Sequence, residues 1–143
     1  MNKIIVALIA SVVLPAWADS GNLELTVNGL QNDQGTVRVA LFHTSEAYDK
    51  SAEDEGAFQS VEIPIQKGVA RYVFNGIPYG DYAIKLYHDE NGNKKLDTNF
   101  VGIPKEPYGF SNNARGTLAA PEYVKAKFTL DTANKAIEIK PHK

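Results

Sequence analysis

The chain has no cysteine. That excludes disulfide cross-links, a thiol nucleophile and a lipid anchor on an N-terminal cysteine, so stability must come from packing, hydrogen bonds or a bound ion. It also has no basic excess: 15 Lys and Arg stand against 17 Asp and Glu, a formal net charge of −2. A phosphate backbone calls for clustered cations, so no nucleic acid is expected as a partner. No hydrophobic run reaches the about 20 residues that a membrane-spanning helix needs. There is no G-x-S-x-G elbow and no H-E-x-x-H pair, the spacings that announce a serine hydrolase or a zinc protease. Internal repeats, linkers and low-complexity tracts are missing too, which leaves room for one domain in 143 residues.

What is present begins with Lys3, an apolar run from Ile4 to Leu14, and Pro15-Ala16-Trp17-Ala18. A short positive segment, a short hydrophobic segment and a small-x-small site fall in the order of a secretory signal peptide. The expectation is removal of residues 1–18 after Ala18, delivery to the periplasm or the medium, and a mature domain over 19–143. Loss of Lys3 leaves 14 of the 15 basic residues, a net of about −3. With no second long hydrophobic run, the mature form is expected to have no membrane span.

The mature part is written in period two. Leu23, Leu25 and Val27 alternate with Glu24, Thr26 and Asn28; Val37, Val39 and Leu41 alternate with Arg38, Ala40 and Phe42. Alternation of this kind marks half-buried strands. The turn chemistry of Asn32-Asp33-Gln34-Gly35 suggests that the two pair as a hairpin. Residues 43–57 break the pattern, as a loop or one short helix, and Glu53-Asp54-Glu55 reads as solvated surface. Further strands are predicted at Phe58–Gln66, Val69–Phe74, Tyr82–His88, Tyr123–Leu130 and Ala136–Lys140. About seven short strands with almost no helical period point to an all-β fold, a single antiparallel β-sandwich of immunoglobulin-like or prealbumin-like build.

One loop carries oxygen chemistry. In His88-Asp89-Glu90-Asn91-Gly92-Asn93-Lys94-Lys95-Leu96-Asp97, oxygen side chains fall at Asp89, Asn91, Asn93 and Asp97. These are the first, third, fifth and ninth positions of an EF-hand-like calcium loop, with the Lys95 carbonyl at the seventh. The match then stops. Lys94 stands where the sixth-position glycine belongs and Phe100 where the bidentate acid belongs, so the site either takes a ligand from elsewhere, such as Glu106, or stays weak. The competing reading needs no metal: Asn91-Gly92 is a type I′ turn signal, and the acids and amides bond their own backbone.

The long segment 102–116 holds Ile103, Tyr108 and Phe110, which argues for packing rather than disorder. Aromatics beside Asn and Arg suit a groove for a saccharide, a small molecule or a peptide; alternatively Ser111, Asn112 and Asn113 satisfy loop backbone. His43, His88 and His142 are scattered. An enzymatic reading would need His88 to meet Glu106 or Asp97 in space.

Two runs carry a resemblance: Gly80-x-Tyr82-Ala83-Ile84 followed by His88-Asp89-Glu90-Asn91-Gly92-Asn93-x-x-Leu96-Asp97-Thr98-Asn99, and Gly102-Ile103-Pro104-Lys105-Glu106-x-Tyr108-Gly109-Phe110-Ser111-Asn112-Asn113. From about Leu23 to Leu130 the chain resembles bacterial domain-of-unknown-function family 2141. Its members look like small exported proteins, and the resemblance assigns no catalytic or binding residue. Phe74-x-Gly76-x-Pro78-x-Gly80-x-Tyr82 is also similar to a turn in transthyretin-like and collagen-adhesin B-type modules, which implies a β-sandwich. The function expected is that of a non-enzymatic binding or accessory module, with calcium bracing the 88–99 loop; a purely structural domain is the alternative.

Overall fold

Alternating burial turns the period-two stretches into strands. A computed structural model describes residues 19–143, and the signal-peptide expectation at residues 1–18 lies outside the described residues. Strand β1 (Ser20–Val27) buries Leu23, Leu25 and Val27. Strand β2 (Thr36–Phe42) buries Val37, Val39 and Leu41 against them. Strands β3 (Gln59–Pro64), β4 (Ala70–Pro78) and β5 (Gly80–Asp89) add Ile63, Phe74, Ile77, Tyr82, Ile84 and Leu86 to the same core. Short strands β6 (Tyr108–Phe110) and β7 (Phe128–Leu130) and the last strand β8 (Asn134–Ile139) complete the set. Each fully buried Val, Leu, Ile or Phe stabilises the fold by about 1.5–3 kcal/mol, so this interface between sheets holds the molecule together.

There are two sheets, one ordered β4-β1-β8 and the other β3-β2-β5-β6, with β7 also on β5. The all-β sandwich is thus present, with three departures in detail. β1 and β2 do not form a hairpin: they lie in different sheets. Leu30, buried in the core, pulls the connection into an arch over the end of the sandwich. Second, β1 pairs with β8 in parallel, so the pairing is not wholly antiparallel. Third, Tyr123–Leu130 is not one strand. Residues Tyr123–Ala126 form a short helix, α2, and only Phe128–Leu130 is extended. Val124 is accordingly 67% exposed.

Turns read from the sequence survive as corners between sheets. At Lys67-Gly68 both residues have positive φ, and Gln66 and Val69 exchange backbone hydrogen bonds. Asp33, from the neighbouring arch, accepts the Lys67 and Gly68 N–H groups at 2.9 and 2.8 Å. Only Tyr79 separates β4 from β5, and the Tyr82 hydroxyl closes that corner by donating to the Pro78 carbonyl at 2.6 Å.

The free edge of β5 is shared. β6 pairs with residues 85–87 and β7 with residues 80–82. Between them the chain leaves the sheet through the 3-10 turn Ser111–Asn113 and returns after α2. Ser111 bridges the gap. Its Oγ accepts the Ile84 N–H at 2.9 Å and donates to the Ala126 carbonyl, standing in for missing strand backbone. Asn112, at φ 60°, donates from Nδ2 to the Lys125 and Lys127 carbonyls, and Asn113 Oδ1 accepts the Lys140 N–H. The helix α1 (Ser45–Lys50) and α2 pack on the outer face of this sheet through Phe42, Tyr48, Ala83, Phe110 and Ala126. They cover only part of that face.

Candidate functional site

The loop between β5 and β6 is built on carboxylates that accept backbone N–H groups. Asp89, at the end of β5, takes the Lys94 N–H on Oδ2 at 2.9 Å. Lys94 sits at φ 63°, so the sharp turn expected of a glycine at this sixth position is made by lysine instead. A non-glycine in that region costs about 1–2 kcal/mol, and the bond to Asp89 offsets part of it. Asn91 Oδ1 accepts the Asn93 N–H and Asn93 Oδ1 the Lys95 N–H, two Asx turns. Both amide nitrogens donate to the Asp97 carboxylate at 2.6 Å. Those bonds, Asn93's first, hold the Asp97 carboxyl below its ordinary value.

Glu106 ties the loop's start to its end. It is 5% exposed, and accepts the Glu90 N–H at 2.7 Å and the Asp97 N–H at 2.9 Å. Burial pushes its carboxyl up, and the nearby Asp97 and Asp89 charges push the same way. Asn91, Asn93 and Asp97 therefore meet in one network with Glu106, which Lys95 enters through its N–H, while Asp89 holds the Lys94 turn beside it. Asp89 Oδ1 is buried without a hydrogen-bond partner. Phe100, at the twelfth position, is fully exposed. Among the described residues, no group of three or more His, Asp or Glu has the geometry to hold a metal ion.

His88 follows the core-facing side of β5 and is fully buried. Its Nε2 lies 2.6 Å from the Gln34 carbonyl. A carbonyl only accepts, so Nε2 donates to it, and Nδ1 is buried without a hydrogen-bond partner. The nearest carboxylate is Glu90, at 3.9 Å. The pairing with Glu106 or Asp97 that an enzymatic reading needs does not form.

The uncovered part of the outer face is a cleft of about 720 Å³, within the range typical of small-molecule sites. Its floor comes from strand register. Arg38 on β2, Tyr87 on β5, Tyr108 on β6 and His142 in the C-terminal tail are successive cross-strand partners. Ala40, Lys85 and Phe110 form the adjacent row. The walls are residues 51–54, Leu96 with residues 101–104, and residues 115–120. The 89–106 network is thus the scaffold of one wall, and Glu53 joins two walls by accepting the Leu96 N–H at 3.1 Å. That takes Glu53 out of the purely solvated role expected of the acidic run.

Most charged groups of the cleft are already engaged. Lys85 Nζ donates to the Tyr48 and Ser51 carbonyls at 2.6 and 2.7 Å and lies 4.3 Å from the Tyr48 ring centroid. It thus satisfies carbonyls at the end of α1. Burial lowers its pKa, against the pull of Asp49 and Glu55. Arg38 is paired with Glu62, and Asp54 lies 3.9 Å away. Tyr87 differs: it is 7% exposed, and its hydroxyl lies beside the Arg38 guanidinium with no acceptor for its own proton. Burial, then the Glu53 charge, pushes this phenol up, so it stays a hydrogen-bond donor.

The match to known families covers most of this architecture. A family model described as "Uncharacterized protein conserved in bacteria (DUF2141)" matches residues 25–138. The chain belongs to this family. No curated protein and no solved structure matches it. In this DUF2141 domain the Ser111-Asn112-Asn113 motif does backbone work, the structural of the two roles the sequence allowed. Tyr108 and Phe110 pack as expected, whereas Ile103 is 59% exposed on the rim. Sequence reasoning missed Arg38, Lys85, Tyr87 and His142 as site residues. Their one signal was that Arg38, Lys85 and Tyr87 hold the outward positions of strands whose inward positions are apolar.

Proposed function

We propose that the mature domain is an exported, non-enzymatic binding module that takes a small organic ligand in the outer-face cleft. The observation that carries this reading is Tyr87, a buried hydroxyl without an acceptor on the floor of a cleft of about 720 Å³. A buried polar group left unpaired costs about 1–3 kcal/mol, which a ligand acceptor recovers. The engagement of Lys85, Arg38 and Glu53 by neighbouring groups favours recognition over proton transfer. Export rests on the order of Lys3, the Ile4–Leu14 run and Ala16-x-Ala18. The test is an amide chemical-shift screen of residues 19–143 against a small polar-aromatic and saccharide fragment set. Shifts clustered on Arg38, Tyr87 and Tyr108, and weakened in Tyr87→Phe, support the reading. Hits scattered over the surface, indifferent to Tyr87→Phe, refute it.

A calcium ion bracing the 89–97 wall is a second reading, favoured by the bare Asp89 Oδ1 and the turn at Lys94. Asp89, Asn91, Asn93, Asp97 and the Lys95 carbonyl would be its ligands, after rotation of the amides away from their Asx turns. Melting in calcium and then in chelator tests it. A ligand at about 100 times its dissociation constant stabilises by about 2.7 kcal/mol, or several degrees in Tm. A calcium shift lost in Asp97→Ala supports the ion; equal melting in both solutions removes it.

A further inference from the structure

We infer that the cleft is built for a monomeric anionic amphiphile, a molecule with one carboxylate- or sulfate-like head and an apolar body. This deepens the small-ligand reading and rests on it.

Charge argues for the anionic head. The acids lining the cleft are Glu53, which accepts the Leu96 N–H, and Asp54, which faces the Arg38 guanidinium. Of the cations, Arg38 and Lys85 are bound to protein groups. Arg115 lines the same cleft and has no ion-pair partner among the described residues. The Arg115 field reaches inward: after burial, it is what lowers the pKa of His142 on the floor. The Tyr87 hydroxyl, without an acceptor, adds a donor suited to an anionic oxygen.

The rim argues for the apolar body. Val101 and Ile103 on one wall and Leu118 on another are 63%, 59% and 99% exposed, and Phe100 beside them is fully exposed. These are four of the seven large hydrophobic side chains exposed on the described surface. Concentrated apolar exposure on two loops around one cleft marks a binding surface, and covering it returns about 25 cal/mol per Å². An unpaired guanidinium and rim hydrophobics at the same opening complement a ligand with both features.

The test titrates residues 19–143 with decanoate, decyltrimethylammonium and decyl maltoside, each below its micelle concentration, reading amide shifts and heat. Decanoate is expected to bind on the cleft residues and to outbind the cationic amphiphile by at least about tenfold, a difference of about 1.4 kcal/mol. Arg115→Gln should weaken decanoate about tenfold more than maltoside, at unchanged Tm. The side chain is on the surface, so the variant is expected to fold normally. Equal binding of all three amphiphiles, indifferent to Arg115→Gln, overturns the anionic head and leaves the cleft reading standing. Adsorption to anionic lipid vesicles without binding of monomeric decanoate overturns the cleft amphiphile in favour of a surface contact. If none of the three binds, the amphiphile is refuted, and the fragment screen with Tyr87→Phe decides separately whether the cleft binds anything.

Discussion

Replacing Ser111 with alanine isolates one device. Ser111 is 1% exposed, and its hydroxyl both accepts the Ile84 N–H and donates to the Ala126 carbonyl. The substitution removes a single oxygen and opens no cavity of consequence, so the cost is that of two stranded polar groups. Each buried group without a partner costs about 1–3 kcal/mol, so the pair should lose about 2–6 kcal/mol. For a domain of this size 1 kcal/mol moves Tm by about 3–5 °C, and a fall of about 6–30 °C is expected. Thermal melting followed by circular dichroism, with urea denaturation to check that m is unchanged, measures it. Thr129→Ala is the control, because its hydroxyl makes one bond to Asp81 at the surface; it should move Tm by no more than about 2 °C. If Ser111→Ala also stays within about 2 °C of wild type, the hydroxyl does not bridge the strand gap.

Two other outcomes follow from buried groups. Glu106→Gln leaves an amide where a carboxylate accepted two N–H groups, and an amide oxygen can answer only one of them with its NH₂ turned to the other. A loss of about 1–3 kcal/mol is expected, with weakened hydrogen-exchange protection at Glu90 and Asp97; unchanged protection would contradict the bridging role. At alkaline pH, burial holds the Tyr48 and Tyr87 phenols above their ordinary value of 10.0. The folded state keeps protons that the unfolded state releases, so this contribution is full below about pH 10 and is lost as pH rises through the folded values. In a tyrosinate absorbance titration these two of the 7 tyrosines should stay silent until unfolding. Simultaneous titration of all of them in the folded protein would refute it.

The strands were legible wherever one face is buried and the other wet. Leu23-Leu25-Val27 and Val37-Val39-Leu41 announce themselves because a half-buried strand must alternate. Partnership was not legible, because periodicity says which side chains face the core and nothing of which strand lies alongside. Hence the arch at Leu30 reads as a hairpin and the parallel β1·β8 ladder leaves no trace. Val124, Ala126, Phe128 and Leu130 alternate as a strand does. Yet Ala126 belongs to the small outer cluster and Phe128 to the main core, separated by the turn out of α2. At the site, Asn91 and Asn93 bond to Asp97, while Asp89 bonds the Lys94 N–H instead. The left-handed Lys94 was hidden, since residue type alone puts the turn at Gly92. The cleft floor was hidden for a stronger reason: Arg38, Tyr87, Tyr108 and His142 become neighbours only through the register of three strands and a tail.

The parallel ladder between β1 and β8 also sets an order of events. β1 is the middle strand of its sheet and precedes the other described strands, and one of its two neighbours, β8 from Asn134 to Ile139, follows all of them. The residues just after β8 bring His142 to the cleft. Sheet and cleft therefore close together, on contacts such as Asn22 with Asn134, which is the slow kind of folding. Under the export reading, a chain threaded through a membrane has no finished sandwich to unravel until β8 has crossed.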